Sequence, residues 1–153
     1  MGLRMVSRLI DHLGFWLRLV SSHVSGRFAR ALETEGVSVV EWVLLREVYR
    51  AELPVPQIRL AERMGLTRGA ITKLADRLVA RGLILRQGNA LDGRVQALTL
   101  TRAGEALVPE LAALADANDA VCFAALSAEE QARLRALLQK LAEAQGASAL
   151  PIG

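Results

Sequence analysis

Cysteine and long apolar stretches are scarce in this chain, and each scarcity excludes a class of protein. Cys122 is the single cysteine among 153 residues, so an intrachain disulfide and a cysteine-rich zinc site are both excluded. No uncharged stretch reaches the roughly 18 to 20 apolar residues that a membrane-spanning helix needs. Arg8, Asp11 and Arg18 interrupt the apolar N-terminus, and no small-residue cleavage site follows it. That segment therefore predicts an amphipathic helix of a cytoplasmic protein and not a signal peptide.

Aromatic residues and catalytic motifs are also scarce. Only 4% of the residues are aromatic although 52% are hydrophobic, so the core must be mostly aliphatic, and the abundance of alanine and leucine predicts mostly helix. The sequence has no phosphate-cradling glycine loop, no nucleophile motif with a base in range and no suggestive pair of carboxylates. A protein that is not an enzyme and needs no cofactor is therefore expected.

Basic residues are concentrated in the middle third of the chain. Residues 54–102 contain nine Lys/Arg and three acidic residues, a net charge of +6, whereas the whole chain carries only +3. The following residues, 103–153, carry a net charge of −4. Because the excess positive charge lies in one segment, it predicts a polyanion as the partner of that segment.

Long helices are predicted on both sides of the basic segment. Apolar residues at spacings of three and four run through residues 5–35 and predict one helix roughly 45 Å long. Two capping boxes open further helices, Ser38 with Glu41 and Ser127 with Glu130. A helical region also begins at Thr101, and residues beyond 145 are predicted to be frayed. The apolar stripes exceed what the central segment can cover, which predicts a homodimer.

The basic segment itself predicts two short helices and a hairpin. Pro56 suits the first turn of one helix, which ends at Gly65. Thr67 caps a second helix, which ends at Gly82. Two antiparallel strands are predicted next, residues 83–86 and 95–100, with a glycine-containing loop at 87–93. The predicted fold is mainly α with a small β-hairpin wing, a winged helix-turn-helix flanked by long dimerisation helices.

The second short helix has an apolar side and a polar side. Its apolar residues are Ala70, Ile71, Leu74, Ala75 and Leu78. On the polar side, Arg68 is suited to a bidentate pair with guanine, and Thr72 to a thymine methyl group or a phosphate. Gly69 costs about 1 kcal/mol of helix stability relative to alanine, and closer approach to nucleic acid would offset that cost. The DNA-binding candidates here are Thr67, Arg68, Gly69, Thr72, Lys73 and Arg77.

The hairpin tip adds two further DNA-binding candidates, Asp92 and Arg94. An arginine on a loop beside a groove-binding helix can reach the neighbouring minor groove, and a carboxylate two residues earlier can hold its guanidinium in place. The alternative is a solvated turn with a surface ion pair, which contributes about 0 to 1 kcal/mol.

The order and spacing of five short motifs resemble those of the MarR family of bacterial transcription regulators. They are VVEWVL at 39–44, LTRGAIT at 66–72, LVARGLI at 78–84, DGR at 92–94 and LTLTRAG at 98–104. In this resemblance Arg94 matches the wing-tip arginine and Asp92 its partner. Gly93 stands where the family often has a basic residue, which implies one fewer phosphate contact per wing.

The resemblance implies a winged-helix homodimer that binds a pseudo-palindromic operator in double-stranded DNA, commonly as a repressor released by a small ligand or an oxidant. It implies a single domain over 1–153, with dimerisation helices at 1–35 and 103–145 and a DNA-binding part at 38–102. A winged-helix module that mediates protein interactions without reading DNA is the alternative. The charge of +6 on the basic segment favours DNA.

Three residues form a candidate pocket for a small aromatic or phenolic effector, His12, Trp16 and Trp42, and further residues that could line it are Phe15, Phe28 and Met64. Packing in the core or interface explains these residues equally well. Cys122 fits a small core residue better than a redox switch, because it has no nearby cation in sequence. His12 and His23 are too few ligands for a metal site.

Overall fold

The computed structural model of the chain describes residues 5–89 and 92–152, without the side chains of residues 89 and 92–95. A short 3-10 helix, Leu9–Asp11, precedes the first α-helix. The elements that follow are α1 (Leu13–Glu33), α2 (Val39–Tyr49), β1 (Val55–Pro56), α3 (Gln57–Met64), α4 (Arg68–Ala80), β2 (Ile84–Asn89), β3 (Asp92–Leu100), α5 (Arg102–Cys122) and α6 (Ala128–Ala144). The predicted fold class, mainly α with a small β wing, is confirmed.

The helix starts follow from local capping. Ser38 and Ser127 each accept a backbone N–H through the hydroxyl oxygen and donate their own N–H to the glutamate three residues on. The backbone N–H of Ser127 holds the pKa of Glu130 below its ordinary value. Thr67 Oγ1 accepts the Ala70 N–H at 3.1 Å and so opens α4.

The three strands form one antiparallel sheet in the order β1-β3-β2. β2 pairs with β3 in register from Ile84 opposite Leu100 to Gly88 opposite Gln96. The hairpin is longer than predicted, because most of the residues taken as its loop, 87–93, belong to the two strands. β1 was not predicted. Two residues with a proline give no alternation to detect, and Val55 pairs with Leu98 across a long sequence separation.

The core lies where α1, α2 and α5 meet the helix-turn-helix and the sheet. Its fully buried side chains come from nearly every element: Leu32, Leu44, Leu45, Leu60, Met64, Ile71, Leu78, Ile84, Leu98, Leu111, Val37 and Val108. α6 contributes none of its 17 residues to this core. We call the part of the chain that this core holds together, residues 32–111, the head, and α6 lies outside it.

Two predictions about the ends of the chain are wrong. The first helix does not begin at residue 5, because the 3-10 turn at Leu9–Asp11 is followed by extended backbone at His12, and α1 starts only at Leu13. Residues 146–152 are not frayed. Leu150 donates its N–H to the carbonyl oxygen of Arg63 at 2.9 Å, and both Leu150 and Ile152 pack against the core.

Candidate nucleic-acid interface

The helix-turn-helix is formed by α3 and α4, and its turn is fixed by one glycine. Gly65 has φ of 63°, a left-handed conformation that favours glycine, and ends α3. Leu66 then donates its N–H back to the carbonyl oxygen of Ala61 at 2.9 Å, which closes the end of the helix. Thr67 caps α4 directly after this turn. The second helix is thus held at a defined angle to the first.

α4 has a buried side and an exposed side. Ile71, Leu74, Ala75 and Leu78 are buried, as the apolar periodicity predicted, and Ala70 is half-buried. The predicted DNA-binding residues of this helix are all exposed: Thr67, Arg68, Gly69, Thr72, Lys73 and Arg77. The buried side anchors the helix in the core, so the exposed side forms a fixed surface.

The N-terminal half of this surface carries groups with few internal roles. Arg68 and Lys73 take part in no ion pair with another described residue. Thr72 donates its hydroxyl proton to the Arg68 carbonyl oxygen at 2.9 Å, which leaves its oxygen and methyl group for an outside partner. A Cβ built on Gly69 meets no atom within 4 Å. Internal packing therefore gives no reason for glycine at this position.

The C-terminal half of α4 is tied to α2 instead. Arg81 Nη1 lies 3.2 Å from Glu41 Oε2, and Arg77 Nε lies 3.6 Å from Glu41 Oε1. The Glu41 side chain is only 11% exposed and also caps α2. Of the predicted DNA-binding residues of α4, Arg77 is thus the one whose side chain pairs with a carboxylate among the described residues. Glu41 joins the two helices through a charge-assisted contact.

Arg86 on β2 connects both helices of the helix-turn-helix to the wing. Its Nε donates to Gln57 Oε1 at 2.9 Å, at the start of α3. Its Nη1 lies 2.7 Å from Asp76 Oδ1, and its Nη2 donates to the Thr72 carbonyl oxygen at 3.4 Å, both on α4. The guanidinium has the planar geometry and donor count for three such contacts.

Sequence reasoning did not single out Arg86, although one signal was present. Arg86 lies two residues after Ile84 on a predicted strand, and side chains at that spacing share one face. Ile84 is buried, so Arg86 faces the core side of the wing, and its side chain is only 26% exposed. A basic residue on an inward face needs partners, which the sequence alone does not locate.

The wing candidates Asp92 and Arg94 lie on β3, and their side chains are outside the described part of the structure. The predicted contact between the two therefore stays a prediction. β3 itself runs from Asp92 through Leu100, and its inner end is held by Leu98, which is fully buried. The strand that carries both residues is thus anchored in the core beside α4.

A cavity of about 590 Å³ lies between α1, α2 and the C-terminal residues Leu150 and Pro151. It is lined by Ser25, Gly26, Phe28, Ala29, Val39, Trp42, Val43, Arg46, Glu47, Arg50, Leu150 and Pro151. Phe28 meets Trp42 edge to face at 6.3 Å, and the Arg46 guanidinium lies 5.3 Å from the centre of the Trp42 ring. Aromatic and cationic groups therefore meet in one wall.

Only one of the three predicted pocket residues, Trp42, lines this cavity. His12 Nε2 lies 2.9 Å from Ser7 Oγ, and Trp16 donates its indole N–H to the Ile10 carbonyl oxygen at 2.9 Å, both at the N-terminal end of α1. The structure does not bring His12 and Trp16 together with Trp42 in the cavity. Phe28, one of the further pocket candidates, does line the cavity, whereas Phe15 and Met64 are not among its lining residues.

The single cysteine and the possible metal ligands form no recognisable site in the described part of the chain. Cys122 is half-buried at the end of α5, with its Sγ 3.8 Å from Asn118 Oδ1. Among the described residues, His, Cys, Asp and Glu form no group of three that could hold a metal ion. No helix within residues 5–89 and 92–152 has the length and apolar content to cross a membrane.

Known proteins share this architecture. A family model described as MarR family matches residues 35–95. The structure of a probable transcriptional regulator from Pseudomonas aeruginosa is 33% identical, with a TM-score of 0.75 over 88% of this chain and 99% of that one. This chain belongs to the MarR family. It is a transcriptional regulator of that family and not an enzyme.

Two further MarR-type structures are similar to the chain. CouR from Rhodococcus jostii RHA1, bound to p-coumaroyl-CoA, is 28% identical, with a TM-score of 0.75 over 90% of this chain and 96% of that one. A mutant of MarR from E. coli, complexed with operator DNA, is 25% identical, with a TM-score of 0.73 over 84% and 92% of the two chains. Regulators of this architecture thus include one with DNA and one with a small ligand.

Proposed function

We propose that this MarR family protein is a repressor that binds a pseudo-palindromic operator as a homodimer. The observation that carries the proposal is the exposed N-terminal half of α4, where Arg68, Thr72 and Lys73 stand on a buried apolar base. The similar E. coli protein in complex with operator DNA supports it. In this proposal residues 38–102 bind DNA, and residues 1–35 and 103–145 form the dimer within one domain.

α4 enters the major groove with its N-terminal end first. Arg68 pairs with a guanine edge, Thr72 meets a thymine methyl group, and Lys73 neutralises a phosphate. Gly69 lets the backbone approach the DNA closely, because no side chain stands between them. Thr67, Arg77, Asp92 and Arg94 complete the proposed set. Arg77 contacts a phosphate only when it leaves Glu41, and the wing pair reaches the minor groove.

The proposed dimer follows from apolar surface on the extended helices. Leu13 is 89% exposed, and Leu137 and Leu141 on α6 are each 52% exposed. Contiguous apolar side chains on a helix that buries none of its own residues need a partner surface. A second copy of the chain supplies it, and a two-fold axis sets two α4 helices about 34 Å apart, one turn of B-DNA. Sedimentation equilibrium at micromolar concentration tests this, and a monomer would contradict it.

DNA binding is tested by fluorescence anisotropy with the DNA upstream of the protein's own gene and with a scrambled duplex of the same length. Binding should weaken steeply as salt is added, because phosphate neutralisation releases counterions. Arg68→Ala should cost about 1 to 3 kcal/mol on the operator and relax sequence preference. Arg94→Ala should weaken binding to both duplexes about equally.

Arg59→Ala is the matched control, since Arg59 is an exposed arginine of the same basic head that lies on α3. It removes the same charge as Arg68→Ala but should leave the preference for the operator unchanged. If all three variants bind like the parent, the assignment of residues is wrong. If the parent does not bind DNA at low salt, the protein-interaction module becomes the better function.

We further propose that a small aromatic or phenolic effector binds in the cavity beside Trp42 and relieves repression. Phe28 and Trp42 offer ring faces, and Arg46 and Arg50 offer positive charge. The similar CouR bound to p-coumaroyl-CoA supports a ligand with a phenolic ring. Titration with 4-hydroxycinnamate should quench the emission of Trp42 in the full-length Trp16→Phe variant and weaken operator binding. Quenching without any change in operator binding would refute the effector role.

A further inference from the structure

The residues that follow α6 also contact the rest of the molecule. Gly146, with φ of 63°, turns the backbone out of the helix, and Ala147 donates its N–H to the Ala142 carbonyl oxygen at 2.9 Å. The next residues then run to the head of the molecule. Leu150 donates its N–H to the Arg63 carbonyl oxygen at 2.9 Å, in the last turn of α3. We call residues 147–152 the strap, because they connect α6 to the helix-turn-helix.

The strap is also a wall of the cavity between α1 and α2. Leu150 and Pro151 line the cavity opposite Phe28, Trp42 and Val43. Leu150 and Ile152 are half-buried against the core, whereas Ala147, Ser148 and Ala149 are exposed. Few contacts hold the segment against the head: among the described residues, one backbone hydrogen bond and two apolar side chains. Segments with so few contacts open locally without unfolding of the domain.

The same cavity wall is joined to the end of α3 by an ion pair. Glu47 lines the cavity, and its carboxylate lies 2.8 Å from Arg63 Nη2 with only 9% of the side chain exposed. Arg63 therefore contacts the strap through its carbonyl oxygen and the cavity wall through its guanidinium. A group that enters beside Glu47 and displaces the strap removes a contact from the last turn before the Gly65 turn.

We propose that the strap is a displaceable wall of the ligand site, and that its displacement couples ligand binding to the position of α3. The coupling rests on the proposed function, whereas the displacement itself does not. The ligand class is an organic anion with a flat apolar body. The lining is mostly apolar, and Arg46 and Arg50 are paired with no carboxylate among the described residues, whereas Glu47 is neutralised by Arg63. A ligand shifts the strap only if it binds the open form more tightly than the closed one.

The first experiment uses Trp42 as the reporter. Trp16 and Trp42 are the two tryptophans, so the full-length Trp16→Phe variant has a single emitting residue in the cavity wall. In that background, Leu150→Ser together with Ile152→Ser should raise the acrylamide quenching constant of Trp42 about twofold or more. Ser148→Ala changes an exposed residue of the strap and should leave the constant unchanged. Equal quenching constants in all three proteins would refute the claim that the strap forms a wall of the cavity.

The second experiment follows the Leu150 amide by hydrogen exchange. Its bond to Arg63 should protect it about tenfold or more over an unstructured amide, and 8-anilinonaphthalene-1-sulfonate, an aromatic anion, should reduce that protection. Energy transfer from Trp42 to the dye in the Trp16→Phe variant verifies that the dye occupies the cavity. If the dye accepts energy from Trp42 while the protection of Leu150 stays the same, the strap is not displaced and the proposal fails.

The coupling is tested with the same dye and the upstream DNA. The dye should weaken DNA binding of the parent and of Ser148→Ala several-fold, and should have no effect on the Leu150→Ser, Ile152→Ser variant. An equal effect on all three would refute the coupling while DNA binding stands. If none of the proteins binds the DNA, the proposed function fails, and hydrogen exchange and quenching still decide whether the strap moves.

Discussion

Replacing Arg86 by methionine should loosen the attachment of α4 without changing the exposed face of that helix. The substitution keeps a long apolar stem and removes the bond to Gln57, the contact with Asp76 and the weaker bond to the Thr72 carbonyl oxygen. A hydrogen bond to a charged group contributes about 1.5 to 3 kcal/mol. The contact with Asp76 contributes at most about 1 kcal/mol, because that carboxylate is 56% exposed.

The total loss for Arg86→Met is therefore about 2 kcal/mol, most of it from the Gln57 bond. For a chain of this size that corresponds to a fall in Tm of about 4 to 8 °C. Thermal unfolding followed by circular dichroism measures it, at one fixed protomer concentration, because the proposed dimerisation makes Tm depend on concentration. Arg59→Met is the control, since it removes an arginine that pairs with no described carboxylate. Equal Tm values for the two variants would refute the structural role of Arg86.

Stability alone does not establish that Arg86 positions α4. Well below its Tm, Arg86→Met should bind operator DNA about tenfold more weakly than the parent, with the same dependence on salt, because Arg86 itself contacts no phosphate. Arg86→Lys keeps the charge but lacks the planar donors and should recover little of the loss. An unchanged affinity with a lowered Tm would mean that Arg86 stabilises the head without orienting the helix.

Three further predictions concern single residues of the head. Glu41→Gln should lower the free energy of unfolding, measured by urea denaturation, by about 1 to 2 kcal/mol, because the charge-assisted contact with Arg81 is lost. A urea midpoint equal to that of the parent would contradict this prediction. Gly104→Ala should destabilise by about 1 to 3 kcal/mol in the same assay, because a Cβ there overlaps with the Leu83 carbonyl oxygen; an unchanged midpoint would show that α5 shifts freely. Gly69→Ala should stabilise the fold by up to about 1 kcal/mol yet weaken operator binding in anisotropy titrations, and an unweakened affinity would remove the close approach from the proposal.

Features encoded within four or five neighbouring residues could be predicted from the sequence. Capping by Ser38, Thr67 and Ser127 needs only a hydroxyl and a backbone N–H three positions later, so each helix start follows directly. The buried side of α4 follows from its apolar spacing in the same way. The exposed side of that helix was then fixed by elimination.

Contacts between distant parts of the chain could not be predicted. Glu41 meets Arg81 over a separation of 40 residues, and Arg86 meets Gln57 over 29. Charged residues at such separations have many possible partners, and only the packing of α2, α4 and the sheet selects one. The strap was not predicted for the same reason. Small residues with a glycine are typical of a frayed chain end, and only the structure shows the distant surface that the strap contacts.

The ion pairs also change what the charge of the basic segment means. Of its nine basic residues, four pair with carboxylates in the part of the chain whose side chains are described: Arg63, Arg77, Arg81 and Arg86. At most five per protomer, or ten in the proposed dimer, are then available for phosphates, which limits the slope of log affinity against log salt to about −9, whereas all eighteen would give about −16. Anisotropy titrations at about 50 to 200 mM salt measure this slope. A slope steeper than about −9 would show that paired arginines leave Glu41 or Asp76 to bind phosphates. In that case Glu41→Gln should have the same slope as the parent, because its arginines are already free to reach the DNA.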